Sequence, residues 1–110
     1  MADGFIYILL NPRDPDCVKI GKTTRTSEGR AQELSQVSGV ARPFIVIWEE
    51  WVRDCESAER KIHKRLAKYR VAKDREFFEI PVKEAISHLI QLAGELRKGD
   101  ESRRPEAIDS

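Results

Sequence analysis

The period of the apolar positions changes several times along this chain, and each change marks an element. Phe5 to Leu10 is an unbroken aliphatic and aromatic run bounded by Gly4 and Asn11-Pro12, which predicts a buried strand. Cys17 to Lys22 predicts a second, short strand. Between them Asn11-Pro12-Arg13-Asp14-Pro15-Asp16 is dense in turn formers and too short for a crossover, so the two strands are antiparallel. Thr26 then offers an N-cap, Ala31, Leu34 and Val37 give a helix its apolar stripe, and Gly39 is a plausible stop.

After Arg42-Pro43, Phe44 to Trp48 is apolar at every position, which predicts a strand covered on both faces. A helix from about Cys55 to Tyr69 follows, with Ala58, Ile62, Leu66 and Tyr69 on one side. Glu76 to Ile80 reads as a short strand or extended piece. Pro81 suits the first position of a last helix, whose apolar face runs Val82, Ala85, Ile86, Leu89, Ala93 and Leu96. From Arg97 the apolar period stops. The expected division is a folded domain over 1–96 and a charged, mobile tail over 97–110. The fold class is α/β of the α+β type, a small, mostly antiparallel sheet flanked by three helices.

Composition narrows this picture little. The chain has 110 residues, enough for one domain, with 40% hydrophobic and 35% charged residues. It shows no apolar run that spans a bilayer and no signal-peptide pattern, so a cytoplasmic setting without a membrane partner is expected. Cys17 and Cys55 are too few for a disulfide framework, and no CxxC pair suggests zinc. The net charge of +1 conceals a gradient: Asp54, Glu56 and Glu59 precede a basic strip from Arg60 through Lys73 to Arg75. That gradient suits a helix macrodipole, and it also suits phosphate contact.

Candidate chemistry gathers around the first hairpin. Tyr7 is a phenol on one strand, and Lys19 and Lys22 are cations on the other and at its exit. Arg30 lies one turn into the next helix, where a guanidinium can fork onto a phosphate. Glu59 and His63 share a helix face at i, i+4. The set supplies a general base, electrostatic clamps and a carboxylate for a hard divalent ion. Each residue has a bland reading too: a core tyrosine, an arginine stem covering apolar surface, a glutamate answering the helix dipole, a surface histidine. Ile20-Gly21-Lys22-Thr23 is not a P-loop, because the required earlier glycine position holds Asp16.

Taken in order, Phe5-Ile6-Tyr7 and Lys19-Ile20-Gly21-Lys22-Thr23, then Arg30 with Glu33-Leu34, Ala58-Glu59 with Ile62-His63, and Arg75-Glu76-Phe77-Phe78 resemble the GIY-YIG nuclease superfamily, nearest its small phage-type branch. The resemblance covers about residues 4–86. It implies a GIY-YIG endonuclease-like fold with a three-stranded antiparallel sheet. It further implies a metal-dependent DNA endonuclease in which Tyr7, Lys19, Arg30 and His63 are catalytic and Glu59 holds one Mg2+ or Mn2+ ion. Lys22, Thr23 and Arg25 are then substrate contacts. Phe5 replaces the first glycine of the name motif, and Lys19 replaces its second tyrosine. A cation at position 19 is expected to lower the pKa of Tyr7. The implied partner is DNA, with RNA not excluded, for a monomer or homodimer. Two alternatives stand beside this reading: a nucleic-acid-binding module without efficient turnover, and a protein-interaction scaffold.

Overall fold

The computed structural model describes residues 2–38, 43–71 and 76–103. Its elements are β1 (Gly4–Asn11), β2 (Asp14–Thr23), α1 (Ser27–Ser38), β3 (Ile45–Val52), α2 (Cys55–Arg65), β4 (Phe77–Glu79) and α3 (Val82–Arg103). The class is α+β, and the described strands form one antiparallel sheet in the order β3-β1-β2-β4. The sheet therefore has four strands rather than three. The fourth, β4, is the short extended piece read from Glu76 to Ile80.

The β1–β2 hairpin closes more tightly than the turn cluster suggested. Only Pro12 and Arg13 lie between the strands, and the Arg13 amide donates to the Asn11 side chain at 2.9 Å. This Asx turn lets β2 begin at Asp14. β1 is interior to the sheet, which is why its run of apolar residues is continuous: both of its faces are covered.

The expectation for β3 is corrected. It is an edge strand, it continues through Glu49 and Glu50 to Val52, and it leaves Ile45, Trp48 and Trp51 between 38% and 49% exposed. An apolar run alone does not distinguish a central strand from an edge strand that keeps large side chains at the surface. α2 also stops earlier than its apolar stripe, at Arg65, and a single 3-10 turn over Ala67–Tyr69 follows. Its start is as the sequence implies, with the Asp54 carboxylate accepting from the Ser57 amide at 3.2 Å. α3 continues through Arg103, past Arg97, where its apolar period ends. Gly39, Arg42, Lys73, Arg75 and residues 104–110 lie outside the described residues, as does the Val37 side chain.

The two faces of the sheet are covered unequally. Ile6, Ile8, Val18 and Ile20 project toward α2 and α3 and meet Ala58, Ile62, Leu66, Phe78 and Leu89 in the main core. Tyr7 and Leu9 project the other way and meet Ala31 of α1 and Phe44 in a smaller cluster. Among the described residues no helix is long and apolar enough to cross a membrane.

Candidate functional site

Register fixes the centre of the site. Tyr7 on β1 lies opposite Gly21 on β2, and paired residues of an antiparallel ladder point to the same face. The Tyr7 ring fills the space a side chain would occupy at position 21. A Cβ added to Gly21 would lie 2.5 Å from the Tyr7 hydroxyl oxygen and 2.8 Å from its Cζ. Gly21 is thus a seat for the phenol, and any larger residue would unseat it. Tyr7 itself is almost wholly buried.

Arg30 reaches this phenol from α1. The helix start is set by Thr26, whose hydroxyl accepts from the Gly29 amide at 3.1 Å, and the Arg30 amide donates to the Thr26 carbonyl. The Arg30 guanidinium acts on the phenol from there, and its influence lowers the Tyr7 pKa. The guanidinium is fixed by Glu33, which accepts from Arg30 at 3.1 Å and from Arg25 at 2.9 Å. The two cations hold the Glu33 carboxyl below its usual range, chiefly through the Arg30 hydrogen bond.

Burial raises the Tyr7 pKa above its ordinary 10.0. The Arg30 hydrogen bond and charge oppose that rise, and the carboxylates of Glu76 and Glu59 add to it. The expectation that Lys19 lowers the Tyr7 pKa is therefore corrected. Arg30 is the cation on the phenol, and Lys19 is engaged elsewhere. The Lys19 side chain is buried, forms an ion pair with Glu76, and lies 5.2 Å from the centroid of the Phe77 ring.

α2 brings Glu59 and His63 to the neighbouring edge of β2. The pairing of β4 ends opposite Lys19, and the next residue, Ile20, is held from outside the ladder. Its amide donates to the Glu76 carbonyl at 3.0 Å, and His63 Nε2–H donates to its carbonyl at 2.7 Å. That contact fixes the His63 tautomer, and its ring lies 5.2 Å from Phe78. Glu59, one turn earlier, is half-buried, and its charge acts on Tyr7. Arg30, Glu76 and, least of the three, Glu59 thus act electrostatically on Tyr7, Glu59 from α2, the helix that packs on the other face of the sheet. His63 and Lys19 buttress the strand beside them.

A cleft of about 430 Å³ adjoins this edge and is lined by Lys22, Thr23, Thr24, Arg25, Arg30 and Glu56 among others. Within it the Thr23 hydroxyl accepts from the Arg25 amide at 3.1 Å, which closes the turn into α1. A larger groove of about 800 Å³ runs between α2 and α3, where Lys61, Lys64 and Arg65 face Leu92 and Leu96. It does not include Tyr7, Arg30 or Glu59. Part of the expected basic strip lines it, and Arg65 pairs there with Glu95 at 2.7 Å. Among the described residues no group of three or more His, Cys, Asp or Glu converges as a metal cage.

Two site residues were given no role by the sequence reading. Glu33 follows Arg30 at i+3, a spacing that signals a pair on a helix surface. Glu76 meets Lys19 across 57 positions of sequence, a contact no local pattern reveals.

The T5orf172 domain is the family whose model matches the sequence, over residues 4–93, and the chain belongs to that family. This finding overturns the GIY-YIG assignment drawn from the motifs. Those motifs are only a few residues long each, and Gly21 has a local reason of its own, the Tyr7 ring that fills its side-chain space. No curated protein and no solved structure matches the chain.

Proposed function

We propose that this T5orf172-domain chain binds nucleic acid at the Tyr7–Arg30–Glu59 edge of the sheet and hydrolyses a DNA phosphodiester there. The T5orf172 domain is phage-associated and often linked to nucleic-acid-related function, which supports the partner class. The observation that carries the reading is the buried phenol seated over Gly21, with the Arg30 guanidinium and two carboxylates acting on it electrostatically.

Arg30 is partly exposed and donates to Glu33 through one nitrogen, and its remaining donors fit a phosphate oxygen. Lys22 and Arg25, lining the adjoining cleft, hold flanking phosphates. With its pKa raised, Tyr7 is protonated near neutral pH and orients water by hydrogen bonding. It serves as a base only once further positive charge reaches it. Glu59 has no hydrogen bond or ion pair among the described residues, and magnesium commonly takes one or two carboxylates with water and substrate phosphate. The residues present therefore fit a single magnesium or manganese ion on Glu59. Such an ion, held by Glu59, would supply positive charge to the site and electrostatic stabilisation of a leaving oxygen.

The raised Tyr7 pKa also favours a second reading, a module that binds nucleic acid without turnover. Incubating the protein with duplex, branched and single-stranded DNA and with RNA, in magnesium, manganese or chelator, separates the two. The expected result is metal-dependent cleavage that falls about a hundred-fold or more in both Tyr7→Phe and Glu59→Gln. Salt-sensitive binding without cleavage in either metal would establish the module instead.

A further inference from the structure

The two edges of the site differ in charge and in aromatic content. Lys22, Arg25 and Arg30 gather on the β2 and α1 side. On the β3 side, Glu49 lies opposite Tyr7 and Trp51 lies opposite Phe5, so both point to the same face as the phenol. Trp51 is one strand over and two residues along from Tyr7, about 5 Å and about 7 Å in sheet spacings. α1 covers this face near Leu9 and Val46 but leaves the Trp51 row half open.

The two exposed tryptophans of β3 are not equivalent. Trp48 faces α3, and its indole N–H donates to Glu50 at 3.0 Å, which in turn accepts from Arg97 at 2.9 Å. Trp51 is 47% exposed and has neither a hydrogen bond nor a ring partner among the described residues. Exposing an indole in this way forgoes burial of one of the largest apolar side chains.

We propose that Trp51 is a stacking platform for an unpaired nucleobase, so that the substrate of this site is single-stranded or locally opened nucleic acid. The inference rests on the nucleic-acid reading above and deepens it. Phosphates are drawn to the β2 side by Lys22, Arg25 and Arg30 and repelled from the β3 side by Glu49. A strand crossing the site therefore turns its backbone toward β2 and its bases toward β3. There an indole face stacks on any base, and a carboxylate accepts from amino groups on base edges. A closed duplex keeps its base faces stacked on one another and cannot use the platform.

Binding of oligo-dT, oligo-rU and a blunt DNA duplex, followed by anisotropy and by quenching of tryptophan fluorescence, tests this in the full chain. In Trp51→Ala, single-strand affinity falls about ten-fold, as expected for the loss of one stacked base. Duplex affinity and the salt dependence of binding stay as in the wild type, since no phosphate contact is lost. Trp51→Phe recovers most of the loss, and Trp48→Ala leaves both affinities unchanged. Equal losses on single strand and duplex, or no loss on either, would overturn the platform while leaving the nucleic-acid reading intact. If the wild-type protein binds none of the three probes, both are overturned.

Discussion

One face of the sheet is occupied by a large apolar core and the other by a small cluster with polar residues inside it. Toward α2 and α3 the described buried side chains are apolar from Ile6 to Leu92. Toward α1 the buried set includes Tyr7, Lys19 and Thr23, and Ser27 is buried on α1 itself. Burial of apolar area is the main favourable term in folding, so the first face fixes the sheet and the second can carry groups that are costly to desolvate. Tyr7 and Arg30 lie on the face that contributes less to holding the fold, while Glu59 and His63 come from α2 on the other.

Adjacent phenylalanines on β4 offer the sharpest way to break that comparison, because Phe78 enters the main core and Phe77 is half-buried on the α1 side. Phe78→Ala is expected to cost about 3–5 kcal/mol and Phe77→Ala about 1–2 kcal/mol, measured by denaturant unfolding. Equal costs would mean that the two faces share the stability.

Gly21→Ala comes next. Its Cβ meets the Tyr7 ring and hydroxyl, and displacing a packed phenol costs about 1–3 kcal/mol. Any cleavage activity should fall with it, and Gly21→Ala combined with Tyr7→Phe should lose less than the sum of the two. Strict additivity in that double-mutant cycle would show that position 21 does not seat the phenol.

The Lys19–Glu76 pair gives a smaller and asymmetric effect. Lys19 is buried while Glu76 is partly exposed, so Glu76→Gln strands an ammonium inside, whereas Lys19→Met leaves a carboxylate that water can reach. After allowance for solvent at Glu76, we expect about 1–2 kcal/mol for Glu76→Gln and less for Lys19→Met, again from unfolding curves.

The smallest effect is the alkaline dependence of stability. Tyr7 binds its proton more tightly in the folded than in the unfolded chain, so its contribution is complete below pH 10 and is lost as pH rises through the higher folded pKa. The difference in stability between wild type and Tyr7→Phe should therefore shrink from pH 10 upward. A difference that grows there would contradict the raised pKa.

Local signals carried much of this architecture. The turn formers at Asn11-Pro12, the Thr26 cap and the apolar stripes of α2 and α3 each depend on residues a few positions apart, and each produced its element. Tyr7, Arg30 and Glu59 were legible as candidates by residue type and order, and in the structure Arg30 and, more weakly, Glu59 act on the Tyr7 phenol. What stayed hidden depends on distant placement. Whether Phe44 to Trp48 is central or peripheral is decided by strand order, which its own apolar run does not encode. The partner of Lys19 comes from a segment 57 residues away, so a cation expected to act on the phenol is neutralised by a carboxylate. Short motifs were the weakest guide, since the hairpin residues that suggested one family belong to a chain matched by another.

The early end of β4 has a consequence for amide exchange. Ile20 directs its backbone away from β1, as its bond to the Glu76 carbonyl shows, and two residues on, Lys22 must do the same. No strand pairs with β2 on that side beyond Lys19 among the described residues. Deuterium should therefore enter at Lys22 far faster than at Ile20, within one strand and two residues, and a strand of nucleic acid laid along that edge should slow it.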